Sequence, residues 1–171
     1  MATTTRIVMV FVVGLGCGVT KAEPISPRIG LPTDPDAVLL NYDPAVGDLW
    51  ITLNEGSAAS FTTLEITSAS NAFRVSSCPA GVFCGLFDIW GGPDGSKIFR
   101  LDPAGFSELH IDNALDPGLT ADFLVDDLRF DGSYVGGGGL TEVVIPIPEP
   151  TALMLCGIGC ISIHLVRRRD R

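Results

Sequence analysis

Between residues 37 and 145, hydrophobic residues alternate with polar ones, and turn-forming residues interrupt the alternation at short intervals. Successive side chains of a β-strand point to opposite faces of a sheet, so a period of two predicts strands that bury one face. An amphipathic helix would instead show apolar residues three or four positions apart over a long stretch, and this part of the sequence shows no such stretch. The pattern therefore predicts an all-β fold.

The best-defined element is a hairpin. An apolar run at residues 37–42 is followed by Asp43-Pro44-Ala45-Val46-Gly47, and a second run covers residues 48–53. Proline presets φ at one turn position, and glycine accepts a positive φ without steric cost. In the returning strand the aliphatic residues share one face, which places Trp50 on the other face.

Further strand-like runs lie between turns rich in Asp, Pro and Gly, at residues 61–66, 72–75, 85–90, 97–101, 106–111, 119–130 and 140–145. Eight or nine short strands at this spacing predict a single β-sandwich or jelly-roll-like domain over residues 23–145. The run at 119–130 also suits a helical turn. The four glycines at 136–139 predict a flexible loop or linker.

The first 22 residues have the features of a secretory signal peptide. Arg6 precedes an apolar run at residues 7–15, and small residues lead to a cleavage site expected after Ala22, where signal peptidase would act. The run is too short to remain as a membrane span. Lipidation at Cys17 and an uncleaved anchor are the alternatives.

Residues 146–171 combine a proline-rich break, an uncharged apolar segment and a basic end. A helix over residues 151–166 would span about 24 Å, slightly less than a hydrocarbon core of about 30 Å. Arg167, Arg168 and Arg169 follow it directly, and long arginine side chains reach the headgroups. Because positive residues stay on the cytoplasmic side, we expect a single transmembrane helix that leaves the β domain outside the cytoplasm.

This tail resembles the PEP-CTERM sorting signal of exported bacterial proteins, with Pro148, Glu149 and Pro150 as its motif, followed by the apolar helix and the arginines. The resemblance implies that these residues are recognised by an exosortase-type membrane enzyme, with this chain as the substrate. It also implies transient anchoring in the inner membrane, followed by location at the cell surface or in the extracellular matrix, often beside extracellular polysaccharide.

Cys78 and Cys84 lie close together in a protein that we expect to be exported. Such cysteines usually form a disulfide, and closing so short a loop contributes about 2 kcal/mol in the chain-entropy model. Free buried thiols or a metal site are the alternatives.

The central region is acidic, with 17 acidic against 5 basic residues between Pro24 and Ile147, a net charge of −12. Such a surface repels phosphate backbones, which argues against nucleic acid as a partner. Oxygen ligands for calcium could come from Asp34, Asp36, Asp126, Asp127 and Asp131, but no EF-hand spacing is present and turn roles explain these residues. We therefore expect no metal site and no cofactor.

Two tryptophans, Trp50 and Trp90, are candidates for stacking on sugar rings. His110, on a predicted strand face with Phe106 and Glu108, has no second histidine in the domain, and no pair of carboxylates is singled out for glycoside hydrolysis. We therefore expect no enzyme. The sequence predicts an exported protein of the cell envelope or extracellular matrix with a structural or adhesive role. A small carbohydrate-binding module of the exopolysaccharide layer is the alternative.

Overall fold

The computed structural model describes residues 23–74 and 85–147. These residues form eight strands and one short helix, which confirms the all-β class. The elements are β1 Arg28–Gly30, β2 Val38–Asp43, β3 Asp48–Leu53, β4 Phe61–Ser68, β5 Lys97–Phe106, β6 Glu108–Ile111, α1 Ala121–Asp127, β7 Leu128–Tyr134 and β8 Val143–Pro146.

The strands form two sheets that share one core. The five-stranded sheet has the order β1-β8-β2-β3-β6, and the three-stranded sheet has the order β5-β4-β7. Strand β8 pairs in parallel with β1 and β2, whereas the other pairs are antiparallel. Leu40 and Ile51 from the larger sheet and Ile66 and Phe130 from the smaller one belong to a single hydrophobic cluster. One face of each sheet therefore packs on the core.

The hairpin formed by β2 and β3 has the predicted faces, and β3 has the predicted bounds, whereas β2 begins and ends one residue later than the predicted run at 37–42. Leu49 and Ile51 are fully buried. In the turn, the Asp43 carboxylate accepts a hydrogen bond from the backbone N of Ala45 at 2.8 Å. Gly47 adopts φ of +87°, and a Cβ added there would lie 2.1 Å from the carbonyl oxygen of Leu115. Glycine is thus required at this position both by conformation and by space.

The segment 102–105 was predicted to separate two strands, and this prediction is wrong. These residues lie inside β5, where the register against β4 shifts. The Asp102 carboxylate accepts a hydrogen bond from the backbone N of Ala104 at 3.0 Å, and Gly105 has φ of +89°. This hydrogen bond and this positive φ are typical of a turn. They produce a bulge within one strand because the residues before and after the segment both pair with β4.

The predicted strand at 106–111 is divided between the two sheets. Phe106 ends β5 and pairs with Phe61 of β4, whereas β6 begins at Glu108 and pairs with β3. Phe106 therefore does not share a strand face with His110, which corrects the sequence-based placement of that histidine.

Two other apolar runs do not form strands. Residues 72–74 and 85–90 lie in loops, and the second run makes only an isolated bridge between Ile89 and Phe99. The Asp88 carboxylate accepts a hydrogen bond from the backbone N of Gly85 at 2.9 Å, and this local bond favours a turn over a strand. Phe73 and Trp90 are nevertheless buried, so loops also contribute side chains to the core.

The ambiguous run at 119–130 contains both predicted structures. The Thr120 hydroxyl accepts a hydrogen bond from the backbone N of Phe123 at 3.1 Å and caps α1. The helix ends at Asp127, and β7 follows directly. The glycines at 136–139 form a turn between β7 and β8, in which the backbone N of Tyr134 donates to the carbonyl of Gly138 at 3.1 Å. They are therefore a loop within the domain.

The remaining predicted features lie outside the described residues. These are the signal peptide at 1–22, the cysteines Cys78 and Cys84, and the sorting signal with its helix at 151–166. In the parts of the chain at 23–74 and 85–147, no helix has the length and apolar character that crossing a membrane requires.

Candidate functional site

The outward face of the five-stranded sheet carries a row of three side chains that could bind a ligand. Strand register places Trp50 of β3 between Asn41 of β2 and His110 of β6. Leu49 and Ile51, which flank Trp50 in β3, point into the core. The alternation of the strand therefore directs Trp50 outward, and 49% of this residue is exposed. The exposed indole offers a flat apolar surface beside polar side chains, and this combination makes it a candidate contact site.

Trp50 and His110 are in contact with each other. Their ring centroids are 5.7 Å apart and the rings are tilted by 36°. Beside them lies a shallow cleft of about 440 Å³. Its lining residues are Asn41, Tyr42, Asp43, Pro44, Asp48, Trp50 and His110. The cleft thus combines one broad apolar surface with amide, imidazole and carboxylate groups.

One end of the cleft is strongly acidic. Asp43 and Asp48 are opposite each other in the β2–β3 register. The β3–β6 register pairs Leu49 with Ile111, so Asp112 follows as the neighbour of Asp48 just beyond the end of β6. Asp48 is oriented by a hydrogen bond that its Oδ1 accepts from the backbone N of Asn113 at 2.7 Å.

Three of these groups could hold a metal ion. One donor atom from each of Asp48, His110 and Asp112 lies within 4.8 Å of the other two, and no other such group occurs in the residues searched, 23–74 and 85–147. His110 Nε2 is 3.5 Å from Asp112 Oδ1. None of these three residues is among the aspartates that the sequence offered as metal ligands.

Trp90, the second candidate for sugar stacking, lies in the core. It is only 6% exposed and belongs to the hydrophobic cluster. A ring enclosed by protein cannot stack on a sugar, so Trp90 is removed from the candidate site. Trp90 lies in a loop, where strand alternation does not indicate which side chains are exposed.

Four of the five aspartates considered for calcium, all except Asp126, accept hydrogen bonds within the described part of the protein. Asp34 accepts from the backbone N of Asp36 and from the hydroxyl of Thr141, both at 2.8 Å. Asp36 accepts from the hydroxyl of Ser57 at 2.6 Å. These bonds organise the loop between β1 and β2, which is a turn role.

The carboxylate of Asp127 is likewise used to join two elements. It is buried at the end of α1 and accepts hydrogen bonds from the hydroxyl of Ser68 at 2.5 Å and from the backbone N of Ser70 at 2.7 Å. Asp131 accepts from the backbone N of Gly132 at 2.7 Å. Asp127 therefore fastens α1 to the end of β4 and is not displayed to solvent as a ligand.

Glu142 forms the most densely bonded carboxylate cluster among the residues described. It pairs with Arg28 and accepts hydrogen bonds from the backbone N of Thr33 at 2.8 Å and of Asp34 at 2.9 Å. The bond from Asp34, followed by that from Arg28, lowers the pKa of Glu142 from 4.5 to about 2. A neighbouring cleft of about 290 Å³ includes this carboxylate, but its oxygens are already occupied by the bonds that close the loop.

The other predicted site residues cannot be placed. Pro148, Glu149 and Pro150 of the sorting signal, the arginines 167–169 and the cysteines 78 and 84 lie outside the described residues.

From the sequence alone, Trp50 is recognisable as a candidate, but its grouping with Asp48, His110 and Asp112 is not. The alternation of β3 places Asp48 and Trp50 on one face, and the alternation of β6 does the same for His110 and Asp112. The sequence does not show that β3 pairs with β6, because these two strands are distant along the chain, and only this pairing brings the four side chains together.

Comparison with protein-family models, with curated proteins and with solved structures finds no significant match to this chain. The support for a function therefore comes from the side chains of the outward sheet face.

Proposed function

We propose that this chain is an exported β-sandwich protein of the cell envelope or extracellular matrix with an adhesive role, and that the outward face around Trp50 makes the adhesive contact with extracellular polysaccharide. Its C-terminal tail acts as a PEP-CTERM-like sorting signal for an exosortase-type enzyme. No catalytic step is part of this proposal.

The two-sheet architecture supports the sandwich. Two sheets that bury their inner faces against each other are the defining feature of that architecture. Strand β8 runs parallel to both of its neighbours, β1 and β2, so the larger sheet is mixed.

The observation that carries the binding function is the exposure of Trp50 within a polar row. The apolar face of a pyranose ring can stack on an indole, while its hydroxyl groups need donors and acceptors at the edge of the ring. Asn41 and His110, directly across from Trp50 on either side, supply such groups. The strands hold all three positions, so little ordering is required on binding.

The test is binding of the full-length chain, in detergent micelles, to an array of bacterial polysaccharides. Trp50→Ala should weaken binding about fivefold or more, because we take the stacking of a sugar ring on an indole to be comparable to that of a nucleobase, which contributes about 1–3 kcal/mol. Trp50→Phe should retain part of the binding, since a smaller ring still stacks.

Phe87→Ala is the matched control, because Phe87 is an exposed aromatic residue in the loop before β5, outside the five-stranded sheet. It should bind as the unmodified chain does. Absence of binding to every polysaccharide, or equal losses for Trp50→Ala and Phe87→Ala, would refute a glycan-binding role for this face.

A further inference from the structure

The acidic end of the outward face has the donor atoms of a metal site. Asp48 on β3 and His110 and Asp112 on and after β6 come from neighbouring strands, and their donor atoms lie within 4.8 Å of one another. In a tetrahedral zinc site with bonds of about 2.0–2.2 Å, adjacent ligand atoms are roughly 3.3–3.6 Å apart. The separation of 3.5 Å between His110 Nε2 and Asp112 Oδ1 already matches one edge of that tetrahedron.

The charges around this trio are unbalanced. Asp43, Asp48 and Asp112 occupy consecutive cross-strand positions, and like charges placed opposite each other destabilise a sheet. In the part of the chain that the structure describes, no lysine or arginine forms an ion pair with any of the three. A bound cation would remove this repulsion.

The site is also partly organised before any ion binds. The backbone N of Asn113 holds one oxygen of Asp48, and the ring of Trp50 lies against His110. Contacts to the remaining atoms of metal ligands fix their orientation and raise affinity in metalloproteins. The cost of ordering the ligands is therefore reduced for two of the three side chains.

We propose that Asp48, His110 and Asp112 bind a divalent first-row transition-metal ion, and that zinc fits best. Imidazole nitrogen favours such ions, whereas calcium prefers six to eight oxygen ligands. Three protein ligands leave at least one coordination position open. Asp48 and His110 also line the cleft beside Trp50, so an ion held by them would lie beside that cleft. This proposal does not depend on glycan binding.

Zinc binding is measured by equilibrium dialysis of the full-length chain in detergent micelles, after alkylation of its free thiols and with His164→Gln as the background. The background protein should bind zinc at a site whose affinity falls at least tenfold in His110→Gln and in Asp112→Asn. Zinc should also raise the Tm of the background protein and leave the Tm of these two variants unchanged.

Glu108→Gln is the matched control, because Glu108 is an exposed carboxylate on the same strand and face as His110 but outside the trio. It should bind zinc like the background. Equal zinc binding in all variants, or an equal loss in Glu108→Gln, overturns the site. Displacement of zinc by an equal concentration of calcium overturns the choice of metal. Circular dichroism shows whether each variant is folded, and the two ligand variants are independent tests should one fail to fold.

Discussion

Glu142 links the loop between β1 and β2 to the start of β8, and it does so only as a carboxylate. Its bonds to the backbone N of Asp34, to Arg28 and to the backbone N of Thr33 favour the charged form and lower its pKa from 4.5 to about 2. Because the folded-state pKa is below the unfolded one, this residue stabilises the fold fully above about pH 4.5. That contribution is lost as the pH falls through about 2.

Glu142→Gln should therefore reduce the free energy of unfolding at pH 7 and remove part of its decline between about pH 5 and pH 2. Urea unfolding at a series of pH values measures both effects. Glu108→Gln, which removes an exposed carboxylate elsewhere, controls for the change in net charge. If the two variants show the same pH profile as the unmodified chain, Glu142 does not hold the loop as described.

The sequence predicted single residues well where only the strand period mattered. Trp50 was assigned to the face opposite Leu49 and Ile51, and that assignment is confirmed because a strand fixes alternation locally. Trp90 was misjudged because a loop has no such period, and burial there depends on the whole core. The trio of Asp48, His110 and Asp112 was missed because it requires knowledge of strand pairing.

Among the elements, the β2–β3 hairpin depends on its turn. Gly47 has φ of +87°, and an added Cβ would lie 2.1 Å from the carbonyl oxygen of Leu115. Gly47→Ala should therefore combine a conformational cost of about 1–2 kcal/mol with an overpacking cost of about 1–3 kcal/mol. Chemical denaturation measures the sum.

Gly56→Ala provides the comparison for that prediction. Gly56 has a similar φ of +85°, but nothing lies within 4 Å of an added Cβ. The free energy of unfolding of Gly56→Ala should therefore fall only by the conformational cost, about 1–2 kcal/mol. Equal losses at the two positions would show that the close approach to Leu115 does not constrain the turn.

The elements that the sequence predicted correctly are local ones. The hairpin depends on residues a few positions apart, and so does the helical turn at 121–127, which the sequence offered only as an alternative to a strand. The bulge at 102–105 and the division of 106–111 between two sheets depend on which neighbour each strand finds. Strand pairing depends on burial of the shared core. Turn residues alone therefore do not distinguish a bulge from a chain reversal.

In the whole molecule, an acidic two-sheet domain lies between two terminal segments. We propose that these segments direct its export and sorting. The domain carries its exposed tryptophan and the trio of Asp48, His110 and Asp112 on the same outward face. A face of this kind contacts ligands only in the compartment where the domain resides. Glycan and metal binding therefore have physiological meaning only if the mature protein resides outside the cytoplasm.

The location and both ends of the mature protein are measured by intact mass spectrometry of each cell fraction. We expect a chain that begins at Glu23, is cut near Pro148–Pro150 and is found at the cell surface or in the extracellular matrix. Deletion of residues 148–171 should abolish that final location. Recovery of the uncut chain from the cytosol, or an unchanged location after the deletion, would contradict the account.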